Sequence, residues 1–183
     1  MSPPVRLPGN FWLIREQGKG MAIEIERKFL VKDDSWRDQA DAGTPMRQAY
    51  LSRNPKNSIR VRIAGDRANL NIKSATPGCV RREYEYEIPL AEAEELFTLC
   101  LGSPVVKVRY RVPCGEFTFE IDVFSGANQG LVVAEIELDD LKRDFPKPPW
   151  LGPEVSDELR YYNSQLAVHP YEQWTPAEKN PTG

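Results

Sequence analysis

Residues Ile23 to Val31 read IEIERKFLV. Successive side chains of a strand point to opposite faces. Ile23, Ile25, Phe29 and Val31 therefore share one face, and Glu24, Glu26 and Lys28 share the other. One such strand can simply be half in water. The pattern recurs, however. SIRVRI sets Arg60 and Arg62 against Ile59, Val61 and Ile63, and LNIKS sets Asn71 and Lys73 against Leu70 and Ile72. REYEYEI aligns Glu83, Glu85 and Glu87 against Tyr84, Tyr86 and Ile88. VKVRYRV aligns Lys107, Arg109 and Arg111 against Val106, Val108, Tyr110 and Val112. FTFEIDVF aligns Thr118, Glu120 and Asp122 against Phe117, Phe119, Ile121 and Val123, and VVAEIELD aligns Val133, Glu135 and Glu137 against Ala134, Ile136 and Leu138. RQAYLSR, Arg47 to Arg53, is a weaker eighth segment. Period-two alternation over runs of this length is the main strand signal.

Helical signals are fewer. Residues 91–101 carry helical apolar spacing, with Gly102 placed as a C-cap. Residues 139–145 read as a short helix with Asp139 near its N-cap, and 156–167 as a helix capped by Ser156. PKPPWLGP, Pro146 to Pro153, reads as loop. The tail after Pro170 is polar and reads as loose.

The chain of 183 residues suits one domain. We place it at residues 21–169, after an extension (1–20) outside the fold and before a flexible tail (170–183). Met21 directly precedes the first strand and is a second possible start. Apolar residues make up 40% and charged residues 28%, which supports a packed core. A net charge of −3 argues against a nucleic-acid binder acting through bulk positive charge. No apolar run approaches the ~18 residues of a membrane span. The apolar stretch Phe11 to Ile14 is shorter than the roughly 7–15 residues of a secretory signal. Cys79, Cys100 and Cys114 lack CxxC spacing and read as reduced thiols of a cytoplasmic protein without a zinc site. His169 is the only histidine, so catalysis by a histidine pair is excluded. Oligomeric state stays open between monomer and homodimer.

Two architectures fit the alternation. In one, an open sheet packs its apolar face on helices and leaves its charges in water. In the other, the sheet closes into a barrel with charges lining the lumen and apolar residues outside. Closure removes edge strands, and about eight strands leave room for one small ligand. The seven main strands put Lys28, Arg60, Arg62, Lys73, Lys107, Arg109 and Arg111 with nine carboxylates on the polar face. The signs are largely segregated by strand, which costs repulsion unless a counter-charge or ligand lies between.

Those charges suit a polyphosphate carrying a divalent cation. Arginine forks match phosphate in pairs, and Mg²⁺ or Mn²⁺ takes hard carboxylate oxygens. Glu24 with Glu26, and Glu135 with Glu137, are i,i+2 pairs with Cβ atoms roughly 7 Å apart. Glycine-rich phosphate loops are absent: GKGMAI, Gly18 to Ile23, lacks the third glycine of a dinucleotide fingerprint and precedes a strand, and no GxxxxGK[ST] occurs. Phosphate would be held by side chains.

EIERKFLV resembles the ExExK signature of the CYTH superfamily, the triphosphate tunnel metalloenzymes, with Glu24, Glu26 and Lys28 in its three positions. Arg60 and Arg62 match the paired arginines, Lys73 the single lysine, and Glu83 and Glu85 the ExE strand. Lys107 and Arg109 match the KxR pair, Glu120 and Asp122 the following acidic strand, and Glu135 and Glu137 the late ExE. PPWLG and RYYN look like the short bacterial branch. The resemblance runs from about Ile23 to Ala167.

It implies a mainly β (α+β) fold, an eight-stranded antiparallel closed β-barrel forming a triphosphate tunnel with flanking and plugging helices. It implies Glu24, Glu26, Asp122, Glu135 and Glu137 as ligands of Mg²⁺ or Mn²⁺. Lys28, Arg60, Arg62, Lys73, Glu85, Arg109 and Arg160 would contact substrate, with Tyr50 and Lys107 at the reacting centre and Tyr50 as a proton acceptor. Tyr162 departs from the basic residue that many relatives carry in the plug helix. The implied activity is metal-dependent hydrolysis of inorganic triphosphate to pyrophosphate and phosphate. Thiamine triphosphatase, class IV-type adenylate cyclase and a non-catalytic polyphosphate- or nucleotide-binding module are the alternatives. No nucleic-acid or membrane partner is expected.

Overall fold

The computed structural model describes residues 22–54, 56–74 and 80–179. Nine strands form one sheet: β1 (Ala22–Val31), β2 (Thr44–Arg53), β3 (Asn57–Ala64), β4 (Arg67–Ser74), β5 (Val80–Ile88), β6 (Leu101–Cys114), β7 (Phe117–Ser125), β8 (Val132–Leu138) and β9 (Leu151–Glu154). The order is β5-β4-β3-β2-β6-β7-β8-β1-β9, and the pairings are antiparallel. Hairpins between consecutive strands account for most neighbours. β1 joins the far side by pairing with β8.

The expected eight-stranded closed barrel is corrected in two respects. A ninth strand exists, and closure is partial. The sheet curls until β5 meets β1, but that seam spans only Ala22–Ile25 against Val80–Glu83. Further along, the same edge of β1 belongs to β9, which sets Glu154 and Leu151 against Phe29 and Val31. Among the described residues, Tyr84–Ile88 of β5 pair with β4 alone. β9 begins inside the stretch read as loop and ends one residue beyond it. Its Pro153 is tolerated because the strand is an edge. Its Gly152 is needed because a Cβ there would sit 2.6 Å from the Leu30 carbonyl oxygen.

The helical expectations also change. α1 covers Leu90–Phe97 and ends at Thr98, whose hydroxyl donates to the Glu95 carbonyl at 2.7 Å. Leu101 opens β6, so Gly102 (φ +71°) is the second residue of a strand and caps no helix. Residues 139–145 form a turn held by the Asp140 carboxylate, which accepts from Lys142 N–H at 2.7 Å. The expected helix over 156–167 is broken into a 3-10 turn, Leu159–Tyr161, and α2, Asn163–Leu166, with Tyr162 extended between them. The described part of the chain after Pro170 is ordered into elements: a 3-10 turn spans Tyr171–Gln173 and α3 spans Pro176–Lys179. Buried Trp174 packs edge-on against Tyr161 at 5.1 Å and donates Nε1–H to the His169 carbonyl.

Apolar residues pack mainly on the outside of the curl. Phe29, Phe119, Ile121 and Ile136 lie under Trp36, Phe145 and Trp150, delivered by the 3-10 turn Ser35–Gln39 and the proline-rich loop. α1 covers Val61 and Ile63 through Ala93. Each such fully buried large side chain contributes about 1.5–3 kcal/mol. A third cluster differs. Val105, Phe124 and Val133 share the strand parity of Lys107, Asp122 and Glu135, so they belong to the inner face. With Tyr161 and Leu166 they form an apolar floor at one end of the interior. Among the described residues, no helix is long and apolar enough to cross a membrane.

Candidate functional site

The inner face of the curled sheet surrounds a cavity of about 1250 Å³. The cations Lys28, Arg60, Arg62, Lys73, Lys107 and Arg109 all line it, as the alternation requires. So do Glu26, Glu85, Glu135, Glu137 and the Tyr50 side chain. The side chain of Glu24 falls outside the described residues.

One wall comes from β1, β8, β7 and β6. Its register sets Glu26 opposite Glu137, Lys28 opposite Glu135, and Glu120 opposite Glu135. Like charges directly opposite one another are destabilising, so this wall needs cations among its acids. Lys28 Nζ lies 2.5 Å from Glu26 and is bonded to Glu135. Arg109 forks onto Asp122 with Nε–Oδ1 and Nη2–Oδ2 both 2.7 Å. It also donates to Glu135 at 2.6 Å and to Glu120. Lys107 pairs with Asp122, which is fully buried. Asp122 does not line the cavity: it anchors Lys107 and Arg109 from behind, where a metal-ligand role was expected.

Burial acts to raise the Glu135 pKa, but Lys28, Arg109 and Lys107 together hold it well below the usual carboxylate range. Burial acts to lower the Lys28 pKa, and Glu135 and Glu26 reverse that, raising it above the ordinary lysine value. Lys107 goes the other way. Burial and then neighbouring Arg109 push it down to about 8, against the pull of Asp122.

The opposite wall comes from β2 to β5. Arg62 donates to Glu85 at 2.8 Å, Lys73 lies 2.8 Å from Glu83, and Arg60 reaches Glu83 and Gln48 at 3.4 Å each. Buried Asn71 donates to Glu83 at 2.9 Å and to Glu85 at 2.5 Å, tying the two acids together. Arg53, Arg60 and Arg62 each keep a buried Nε–H without an acceptor. Burial and the adjacent Arg60 push the Arg62 guanidinium below its ordinary value.

Tyr50 is buried beside Gln48, whose amide approaches its hydroxyl at 3.4 Å. Burial raises its pKa, outweighing Arg60, Lys28 and Arg53. The phenol therefore keeps its proton at neutral pH. Arg160 is not brought to the cavity. It donates to Glu158 at 2.7 Å and lies against the Tyr161 and Trp174 rings. The extended Tyr162 breaks the expected helix, and the turn Leu159–Tyr161 sends Leu159 to the cavity while Arg160 faces Glu158. Tyr162 itself donates to the Ser156 carbonyl at 2.7 Å and puts its ring 5.6 Å from Lys28 Nζ. Gln48, Asn71 and Arg53 escape a search for charge pairs. Asn71 shares the parity of Lys73, which was the available signal.

Among the described residues, no group of three or more His, Cys, Asp or Glu side chains stands assembled to hold a metal. Lys28 and Arg109 engage the acids instead. The donor chemistry nevertheless fits a hard divalent cation, because Glu26 faces Glu137 and Glu120 faces Glu135 across adjacent strands.

A family model described as the CYTH domain matches residues 22–171. The chain is 43% identical over 155 residues to a protein named inorganic triphosphatase from Acetivibrio thermocellus, with 84% of this chain and 99% of that protein covered. It is 38% identical over 151 residues to another of that name from Nitrosomonas europaea, covering 79% and 97%. A solved structure described as an inorganic triphosphatase superposes with a TM-score of 0.59 at 34% identity, covering 81% of this chain and 96% of that one.

Proposed function

The chain belongs to the CYTH domain family, and from that premise we propose that it hydrolyses inorganic triphosphate to pyrophosphate and phosphate with the help of a divalent metal. The observation that carries this is one cavity with an acid-rich wall facing a base-rich one, the latter holding buried arginine donors without acceptors. The names of the two relatives support the substrate. The free thiols of Cys100 and Cys114 suit a cytoplasmic enzyme.

Arg60, Arg62, Lys73 and Arg109 hold the phosphate chain through charge-assisted hydrogen bonds. Glu26, Glu135 and Glu137, with Glu24, would hold Mg²⁺ or Mn²⁺, which when bound neutralises phosphate charge and favours attack by water. Lys28 keeps Glu26 and Glu135 ionised and in place, and Arg109 supports it at Glu135. Tyr50 donates its hydroxyl proton in a hydrogen bond to a phosphate oxygen. Water oxygen bonds to the terminal phosphorus while the bond to the bridging oxygen breaks. Pyrophosphate leaves with that bond's electron pair, Lys107 and Arg109 balance its charge, and the water proton passes to solvent.

Purified protein is incubated with inorganic triphosphate and Mg²⁺ or Mn²⁺, and orthophosphate, pyrophosphate and cyclic nucleotide are scored across a panel including ATP and thiamine triphosphate. Equimolar phosphate and pyrophosphate from inorganic triphosphate are expected. Folded protein that releases neither with any divalent cation overturns the proposal, and tight binding without turnover marks a binding module.

A further inference from the structure

We propose that Arg53 is a further substrate-contacting residue that binds the phosphate at the α2 end of the cavity and makes the site select three linked phosphates over two. This rests on the triphosphatase reading above. Arg53 is the last residue of β2 and lines the cavity. It stands opposite Ser58 of β3, which stands opposite Lys73 of β4, so the two cations belong to one row across three strands. Arg60 and Arg62 lie two and four residues further along β3. At about 3.3 Å per residue, the rows from Ser58 to Arg62 span roughly 13 Å. A linear chain of phosphates meets several rows; a shorter anion meets fewer.

The electrostatics of Arg53 set it apart. Lys28, Arg60, Arg62, Lys73, Lys107 and Arg109 each have a carboxylate partner. Arg53 has none among the described residues. Its Nη1 donates to the main-chain carbonyl of Ser164 at 3.0 Å, and its Nε–H is buried without an acceptor. A permanently charged, half-buried guanidinium without a counter-ion is unfavourable unless an anion visits it. The Ser164 bond fixes one side of the fork and leaves the other polar edge to a ligand. Tethering α2 explains Nη1 but gives no use for the unpartnered Nε. The Arg53 charge also reaches Tyr50, which places it beside the proposed substrate path.

The test compares wild type, Arg53→Met and Arg53→Lys with Mg²⁺. It records kcat and KM for inorganic triphosphate, the inhibition constant of pyrophosphate, and the melting temperature without ligand. Losing a hydrogen bond to a charged group predicts that R53M raises KM about 10- to 100-fold. Pyrophosphate inhibition changes less than about threefold, because that anion is held by the remaining rows. R53K falls between, keeping charge without the fork; it also carries the test if R53M folds poorly. Equal loss of affinity for both anions, or no loss for either, overturns the proposal. Wild type that turns over triphosphate beside an unaffected R53M refutes Arg53 alone. Wild type that neither binds nor hydrolyses triphosphate refutes the underlying reading as well.

Discussion

The cavity has two walls made by the same strand alternation, and they differ in sign and in burial. On β1, β8, β7 and β6, the cations Lys28, Lys107, Arg109 and Arg111 meet the carboxylates Glu26, Glu120, Asp122, Glu135 and Glu137. On β2 to β5, the cations Arg53, Arg60, Arg62, Arg67 and Lys73 meet only Glu83, Glu85 and Glu87. The first wall is short of positive charge and suits a metal; the second is short of negative charge and suits phosphate. The side chains of Lys28, Lys107, Asp122 and Glu135 are all at most 7% exposed, whereas those of Arg60 and Glu83 are 9% and 16% exposed and those of Arg62 and Glu85 20% and 42%. Changes to the acidic wall should therefore damage stability and chemistry together, and changes to the basic wall should mainly cost affinity.

The sharpest attempt to break this contrast is Glu135→Gln. It removes a proposed metal ligand and a partner of both Lys28 and Arg109. Phosphate release from triphosphate should fall roughly a hundred- to a thousandfold, in line with losses of one preorganised charge-stabilising group. A fall below tenfold would show that the acidic wall is not where the chemistry occurs. Next comes a pair of variants behind that wall. Asp122→Asn leaves Lys107 and Arg109 without their buried counter-charge, a loss of about 3–5 kcal/mol. Lys107→Met leaves Asp122 still gripped by the Arg109 fork, so urea unfolding should show the smaller loss. If the two losses match, Arg109 is not the anchor described here.

A gentler measurement sharpens the basic wall. Arg62→Ala should raise KM for triphosphate about tenfold while moving the melting temperature by no more than a few degrees. A large drop in melting temperature would mean that the two walls are equally structural. A separate measurement is a pH trend in metal-free protein. Lys107 titrates at about 8 in the fold, against about 10.4 in an unfolded chain. Between these values the unfolded chain holds a proton that the folded one has released, so this residue makes stability rise with pH across that window. Wild type should gain on Lys107→Met between pH 8 and 10.5 in paired melts. A constant difference would place the Lys107 pKa outside the window.

Which side chains point inward was legible, because period two sorts Ile25 from Glu26 and Val61 from Arg62 without tertiary information. The sign of each strand was legible too, since acids and bases cluster by strand, but which strands share a wall was not: acidic β5 lies in the basic wall and basic β6 in the acidic one. Register was not legible. That Glu120 opposes Glu135, and that Arg109 grips Asp122, depends on hairpin turns and bulges that alternation leaves free. β9 was hidden because LGPE contains two residues poor in strands, one kept for close approach to Leu30 and one tolerated at an edge. The break at Tyr162 was hidden because its ring packs near Lys28, a contact that alternation and spacing within the segment do not show. Trp174 lay in a polar context, and only packing on Tyr161 makes it core. Arg53 shows the limit most clearly: its sequence context marks a weak strand end, while its missing counter-ion is a property of the assembled cavity.

Strand β1 takes partners from β8, β5 and β9. Lys28 meets Glu135 across 107 positions of chain, and Arg27 meets Glu154 across 127. During synthesis β1 is made before all three partners. Ala22–Ile25 can pair once β5 has been made, but the rest of the ribbon keeps its hydrogen-bonding edges open until β8 and β9 follow. Such long-range pairing makes for slow refolding, and it exposes a nascent edge to aggregation in the interval.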